Sequence, residues 1–333
     1  MHNMNKIFKE AILKFIELRE FGAVVGVVFL TSFFSFYTGG RFLEKNIQAS
    51  ILIVVGELGI MVIGQALLMI SNEIDLSVGS TFGFIGVLYV SLLGIVGVEL
   101  AFFLAILMAA FIGFLNGLFV LKGKASSLII TLGGLFIYRG LCYYITGGFV
   151  KTFPPELRGS FTVGVLGGYE IMGFNISIIW FILFLIIFSL VLHRTKFGNH
   201  IFAVGGDILT AYSQGINPIR VKWTLFILCS LLAGTAGIFT VNELLMVHTT
   251  LGTDMELESV ASCVVGGIEL TGGVGSLWGA AFGTILVSSI RSALLLMGAP
   301  PYWYVTFVGI VLICGVLINS LLRPLLLRVK GGV

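Results

Sequence analysis

Charge is what this 333-residue sequence has least of: Asp, Glu, Lys and Arg make up 11% of it, where a soluble domain carries about 25%. A chain so poor in charge cannot clothe a globular surface in polar groups, which excludes a soluble fold. Ten-residue segments of alternating polarity are absent too, which argues against an outer-membrane barrel. Phosphate chemistry has no foothold. The nearest approach to a P-loop, LFVLKGKASS at 118–127, has Leu118 where the first glycine belongs and Ala125 where Ser or Thr must follow the lysine. No HExxH, GxSxG or Cys/His cluster is present, and His2, His193, His200 and His248 are scattered at loops and ends. Cys142, Cys229, Cys263 and Cys314 fall singly inside apolar runs, without metal-ligand spacing, and read as free buried thiols. No catalytic residue, metal site or cofactor of its own is expected, and the small net charge of +3 gives no reason to expect a nucleic-acid partner.

Apolar length and glycine are what the chain has instead. Hydrophobic residues make up 58% of it, and the mean hydropathy is +1.10. Apolar runs recur at about 20 residues, the length that crosses about 30 Å of hydrocarbon as a helix. The expected fold is an all-α integral membrane protein with about ten spans, near 21–38, 49–70, 81–97, 99–120, 126–146, 171–192, 223–241, 258–270, 277–297 and 303–322. The 44 glycines predict close helix packing, since small residues let backbones approach in lipid. Residues 1–20 place Ile7, Phe8, Ala11, Ile12, Phe15 and Ile16 on one helical face, as in an amphipathic helix lying on the membrane surface.

With the N-terminus inside, Arg41, Lys45, Lys151 and Arg158 fall outside, Arg139 and Arg291 fall within spans, and the remaining basic residues gather inside. The positive-inside rule then puts both termini, including the tail 323–333, in the cytoplasm. Residues 21–322 form one transmembrane domain with an outer loop at 147–170 and an inner loop at 193–222. The weak span is 258–270, where SVASCVVGGI leaves too few apolar residues between Glu258 and Glu269 to cross alone. It either borrows turns from its flanks or is broken within the bundle.

Charges inside such a chain need partners or a purpose. Glu57 lies in mid-span, either on a polar path or paired for packing. In SNEIDLSVGS, Asn72, Glu73, Asp75, Ser77 and Gly79 form either a helix end at the interface or a discontinuous helix lining a path. IDLSVGS at 74–80 is echoed by IELTGGVGS at 268–276, which contains Glu269. Asn116 sits between Gly113 and Gly117, as helix-to-helix glue or part of the path. Arg139 is expected to snorkel outward or to pair with Glu57 or an outer acid. Asp254, Glu256 and Glu258 read as an acidic patch just outside the membrane, either solvated or a docking surface for a basic partner. In the inner loop, Asp207 can cap a helix through ILTAYSQ that ends at Gly215, and Asn217-Pro218 prevents its continuation.

Four stretches in this order and spacing, ISNEIDLSVGS, TLGGLFIYRGLCYYITGG, RTKFGNHIFAVGGDILTAYSQGINPIRVK and ELESVASCVVGGIELTGGVGSLWGAAFGTIL, resemble permease subunits of bacterial sugar ABC importers of the ribose and autoinducer-2 type. The resemblance runs from about residue 50 to 320. It implies a multi-pass protein of the bacterial inner membrane that pairs with a second permease subunit, identical or not. It also implies separate P-loop ATPase subunits, which hold the ATP and magnesium, and an extracytoplasmic solute-binding protein. Asp75, Leu76, Ser77, Val78 and Gly79 match the family's path element. Gly205, Ala211, Ser213, Gly215 and Ile216 match its ATPase-coupling loop, with Asp207 where many members have asparagine. Asn72-Glu73 stands where the family has a glycine pair. The reading that competes with this one is an ion-coupled carrier using Glu57 and Asp75.

Overall fold

In hydrocarbon a peptide group has no water to bond, so long apolar runs satisfy their backbone within helices. The computed structural model describes residues 20–300 and 302–330 of the protein. In chain order the helices are α1 (Phe21–Tyr37), α2 (Lys45–Ile70), α3 (Val78–Val96), α4 (Val98–Gly123), α5 (Ser127–Thr146), α6 (Ser177–Arg194), α7 (Lys196–Gly206), α8 (Ile208–Ser213), α9 (Pro218–Leu244), α10 (Met255–Val265), α11 (Leu277–Leu296) and α12 (Trp303–Lys330). Seven of them, α2 to α6, α9 and α11, are long and apolar enough to cross a membrane. Helix α1, at 17 residues, is shorter. Helix occurs at each expected span, but ten crossings do not follow from that. At 11 residues, α10 is about 16 Å long, roughly half of a hydrocarbon core. The surface helix expected over 1–20 lies outside the described residues but for Glu20, which precedes α1.

The outer loop is not all turn. Strands β1 (Lys151–Thr152), β2 (Glu170–Ile171), β3 (Phe174–Asn175) and β4 (Met246–Val247) form two antiparallel ribbons, β1 with β4 and β2 with β3. The span expected from 171 begins instead at Ser177, because Met172 and Gly173, at φ 56° and 85°, make a two-residue hairpin turn.

Helix α2 is the centre of the bundle, packed by α9, α11, α6 and α10, and every side chain from Val55 to Ile70 is buried. Helix α9 crosses α2, α3 and α4. The Gly113 and Gly117 face of α4 meets α9 as the small-residue spacing predicted: a Cβ on Gly113 would lie 2.6 Å from the Cα of Ile227. Cys142, Cys229 and Cys263 are buried free thiols, whereas Cys314 is exposed on the outer face of α12.

Candidate functional site

The chain breaks its helix between Ile70 and Val78, and the break is built around Asp75. Its Oδ1 accepts from the Ser77 amide at 2.7 Å and the Ser77 hydroxyl at 2.6 Å, an Asx turn that redirects the backbone into α3. Its Oδ2 accepts from Asn116 Nδ2 at 3.2 Å, and the same amide donates to Ser77 Oγ at 2.9 Å. Tyr138 of α5 donates to Asn116 Oδ1 at 3.2 Å, while the Leu76 amide donates to Thr131 Oγ1 at 3.0 Å. Asp75, Ser77, Asn116 and Thr131 are all buried, so the carboxylate sits inside the bundle, held by three helices, rather than at an interfacial helix end. Sequence reasoning picked out Asp75, Ser77 and Asn116 one by one and missed Tyr138 and Thr131, which carry no signal in a run of aromatic and small residues.

Gly79, the second residue of α3, lets a second chain segment reach this point. A Cβ there would lie 2.5 Å from the Gly252 carbonyl and would also strike the Glu256 carboxylate. Gly83 is covered in the same way by Leu251, whose carbonyl accepts from Arg139 at 2.6 Å. Of the expected roles, Arg139 takes the one toward the outer acids and not toward Glu57: it holds the loop between β4 and α10 against α3, with its charge acting on Glu256. The acids expected in a solvated patch are drawn in with that loop: Glu258 is 2% exposed, and Glu256 packs on Gly79.

The two echoing segments meet. The Gly273 amide donates to the Ile70 carbonyl at 2.8 Å, and Gly272 rests on Asn72, where a Cβ would come within 2.8 Å of the Asn72 backbone nitrogen. Asn72 has φ 65°, a left-handed conformation that asparagine tolerates and glycine adopts freely. Glu73 pairs with Lys222 at the start of α9, Oε1 to Nζ 2.7 Å, with side chains only 14% and 8% exposed. Sequence reasoning counted Lys222 only among the inner basic residues, because it had no way to see the partner.

The inner loop converges on the same place. Asp207 Oδ1 accepts from the Thr210 amide at 2.6 Å and starts α8. The amide's hydrogen bond holds this exposed carboxyl below the usual aspartate range. At the far end Gly215, φ 79°, donates to Tyr212 and Ile216 donates to Ala211, the paired bonds of a Schellman ending. Asn217 then caps α9 with Pro218 as its first residue. The preceding helix, α7, was not foreseen. In its last turn Gly205 lies against the Ile70 carbonyl so closely that no side chain fits. Ala211 is buried, whereas Ile208, Leu209 and Tyr212 present an exposed apolar face on α8. Ser213 closes its helix by bonding the Thr210 carbonyl.

Two expected site residues stand apart. Glu57 is buried about 20 Å up α2 from Ile70, with Oε1 unpartnered. Glu269 lies in the turn before α11, where Oε2 accepts from Thr271. Among the described residues no group of three or more His, Cys, Asp or Glu could hold a metal ion.

A buried, interrupted helix joined to a capped inner loop is the architecture of a transport subunit, and comparison with known proteins agrees. Residues 47–316 match the family described as branched-chain amino acid transport system / permease component, and the chain belongs to that family. Among curated proteins it is 30% identical to the xylose/arabinose import permease protein XylH of Sulfolobus acidocaldarius, over 90% of this chain and 84% of that one. It is 31% identical to the ribose import permease protein RbsC of Escherichia coli K12, over 78% and 81%. It is 33% identical to the autoinducer 2 import system permease protein LsrC of Yersinia enterocolitica, over 78% and 71%. No solved structure matches it. The chain is thus a multi-pass membrane permease subunit, which moves a solute and does not transform one.

Proposed function

We propose that this chain forms the channel of an ATP-driven importer for a monosaccharide or similar polyhydroxylated solute. ATPase subunits seat on its inner face, and an extracytoplasmic binding protein feeds it from outside. The sugar class is supported by the three relatives' names, and the inner seat by the exposed apolar face of α8. Both termini lie in the cytoplasm in this reading, as the distribution of Lys and Arg supports. A second permease subunit completes the path.

The observation that carries the coupling role is the junction at Ile70. There the end of α7, the second echo segment and the break after α2 touch, and Lys222–Glu73 ties the start of α9 to the same break. Movement of the capped inner loop reaches the interrupted segment without passing through flexible chain. Deleting residues 207–215 is the direct test: the protein should insert and bind lipid as before while solute accumulation stops. Normal accumulation by that deletion would reject the coupling role. The ion-coupled reading keeps one supporting observation, the unpartnered Glu57 oxygen, whereas Asp75 is committed to its hydrogen bonds. Ion-driven uptake by liposomes containing this chain alone would favour that reading.

A further inference from the structure

A cavity of about 130 Å³ opens between the start of α10, the end of α11 and the start of α12. Thr253, Asp254, Glu258, Arg291, Pro300 and Tyr304 line it, with Leu294 and Ala299 as apolar wall. Glu258 and Tyr304 are themselves buried, at 2% and 6% exposure. The Arg291 guanidinium lies 3.8 Å from Glu258 Oε1 and 4.8 Å from the centre of the Tyr304 ring, with its side chain 40% exposed. The Tyr304 phenol stands beside the Glu258 carboxylate and can bond to it, and beyond that pair Glu258 Oε2 and Tyr304 Oη have no partner among the described residues. A carboxylate oxygen and a phenol oxygen each keep accepting capacity after one bond, which a group in the cavity can use.

The charges narrow what that could be. Two carboxylates, Asp254 and Glu258, face one guanidinium, so a phosphate or carboxylate is repelled, and a simple cation is opposed by Arg291. The groups left open are a carboxylate acceptor, a phenol that donates or accepts, and guanidinium donors, beside an apolar wall. That set matches adjacent hydroxyls on a small neutral ring. The volume holds about four waters at roughly 30 Å³ each, or one such ring in their place.

We infer that this cavity is a binding station for a neutral monosaccharide on the outer half of the chain, where the solute lodges before it passes the interrupted segment. The inference rests on the importer reading and adds to it a place and a set of recognising groups. No residue of the Asp75 network or the inner loop takes part.

The test uses the permease reconstituted in liposomes with its ATPase and binding protein, with labelled D-ribose, D-xylose, L-arabinose and D-glucose as probes. If the unaltered complex accumulates none of them, the importer reading falls, and this site with it. If it accumulates one, Tyr304→Phe and Glu258→Gln should raise the KM for that sugar at least fivefold, while ATP hydrolysis and melting temperature stay within twofold and about 2 °C. Unchanged uptake, or uptake and ATP hydrolysis falling together, would overturn the site. Thr253→Cys gives a readout independent of transport. A membrane-impermeant maleimide added outside should label it, and the transported sugar should slow labelling at least threefold whereas ribose 5-phosphate does not. Equal protection by both, or by neither, would also overturn the site.

Discussion

Asp75 accepts three hydrogen bonds inside the bundle, so its role at the residue scale is to be satisfied. Asp75→Ala strips partners from the Ser77 amide and hydroxyl and from Asn116, and each buried group left unpaired costs about 1–3 kcal/mol. Asp75→Asn keeps one acceptor oxygen for Ser77 and forces only the Asn116 contact to rearrange. Thermal melts in detergent should therefore place Asp75→Ala well below the unaltered protein and Asp75→Asn between them; equal losses would refute the network as drawn. Asp207 gives a pH dependence of opposite consequence. Its carboxyl is depressed by the Thr210 amide, so the cap is intact above the ordinary aspartate range and fails as pH falls through the lowered folded value. Hydrogen exchange at the Thr210 amide, corrected for the intrinsic pH effect, should lose protection only in acid, and Asp207→Asn should remove that dependence. Much of this was readable from the sequence. Polar residues inside apolar runs stand out, and Asp, Asn and Gly at the ends of a short helix have local causes. Partners across the bundle do not, because nothing in YRGLCYY marks Tyr138 as the donor to Asn116, and nothing near Lys222 marks Glu73.

At the scale of elements, the long helices were legible because each is a long apolar run; their ends moved by several residues, at Met172-Gly173 because of turn chemistry. Helix α7 escaped notice because it is only 11 residues long with glycine near both ends, although Ile201, Val204 and Gly205 line one buried face. Its position is fixed by Thr195 as cap and by contact with Ile70. The Glu73–Lys222 pair joins two elements whose ends would otherwise be free to slide. Lys222→Met leaves a mostly buried carboxylate alone and should cost about 3 kcal/mol. The double change with Glu73→Gln should recover most of that, since a neutral pair of similar volume needs no counter-charge. If the pair is a structural tie alone, the recovered variant transports normally. If it carries motion from the inner loop, uptake stays low though stability has returned. Melting temperature and uptake on the four proteins of the cycle separate the two. Gly205→Val acts one element away: it must push α7 off the Ile70 carbonyl, and uptake should fall at least tenfold with the protein still inserted.

For the whole molecule, low charge and abundant glycine announced a packed helical bundle, but the number of crossings was not legible, because α10 belongs to the bundle without being long enough to span it. Cysteine-scanning of 297–302 with impermeant reagents should label only from outside if the termini are cytoplasmic. The loop before α10 also sets an order of assembly. Gly79 and Gly83 are closed by Leu251 and Gly252, which leave the ribosome long after α3 does. At roughly 5–20 residues per second, the roughly 170 intervening residues take about 10–30 s to make. Through that interval the growing chain carries an open glycine groove and an incomplete centre.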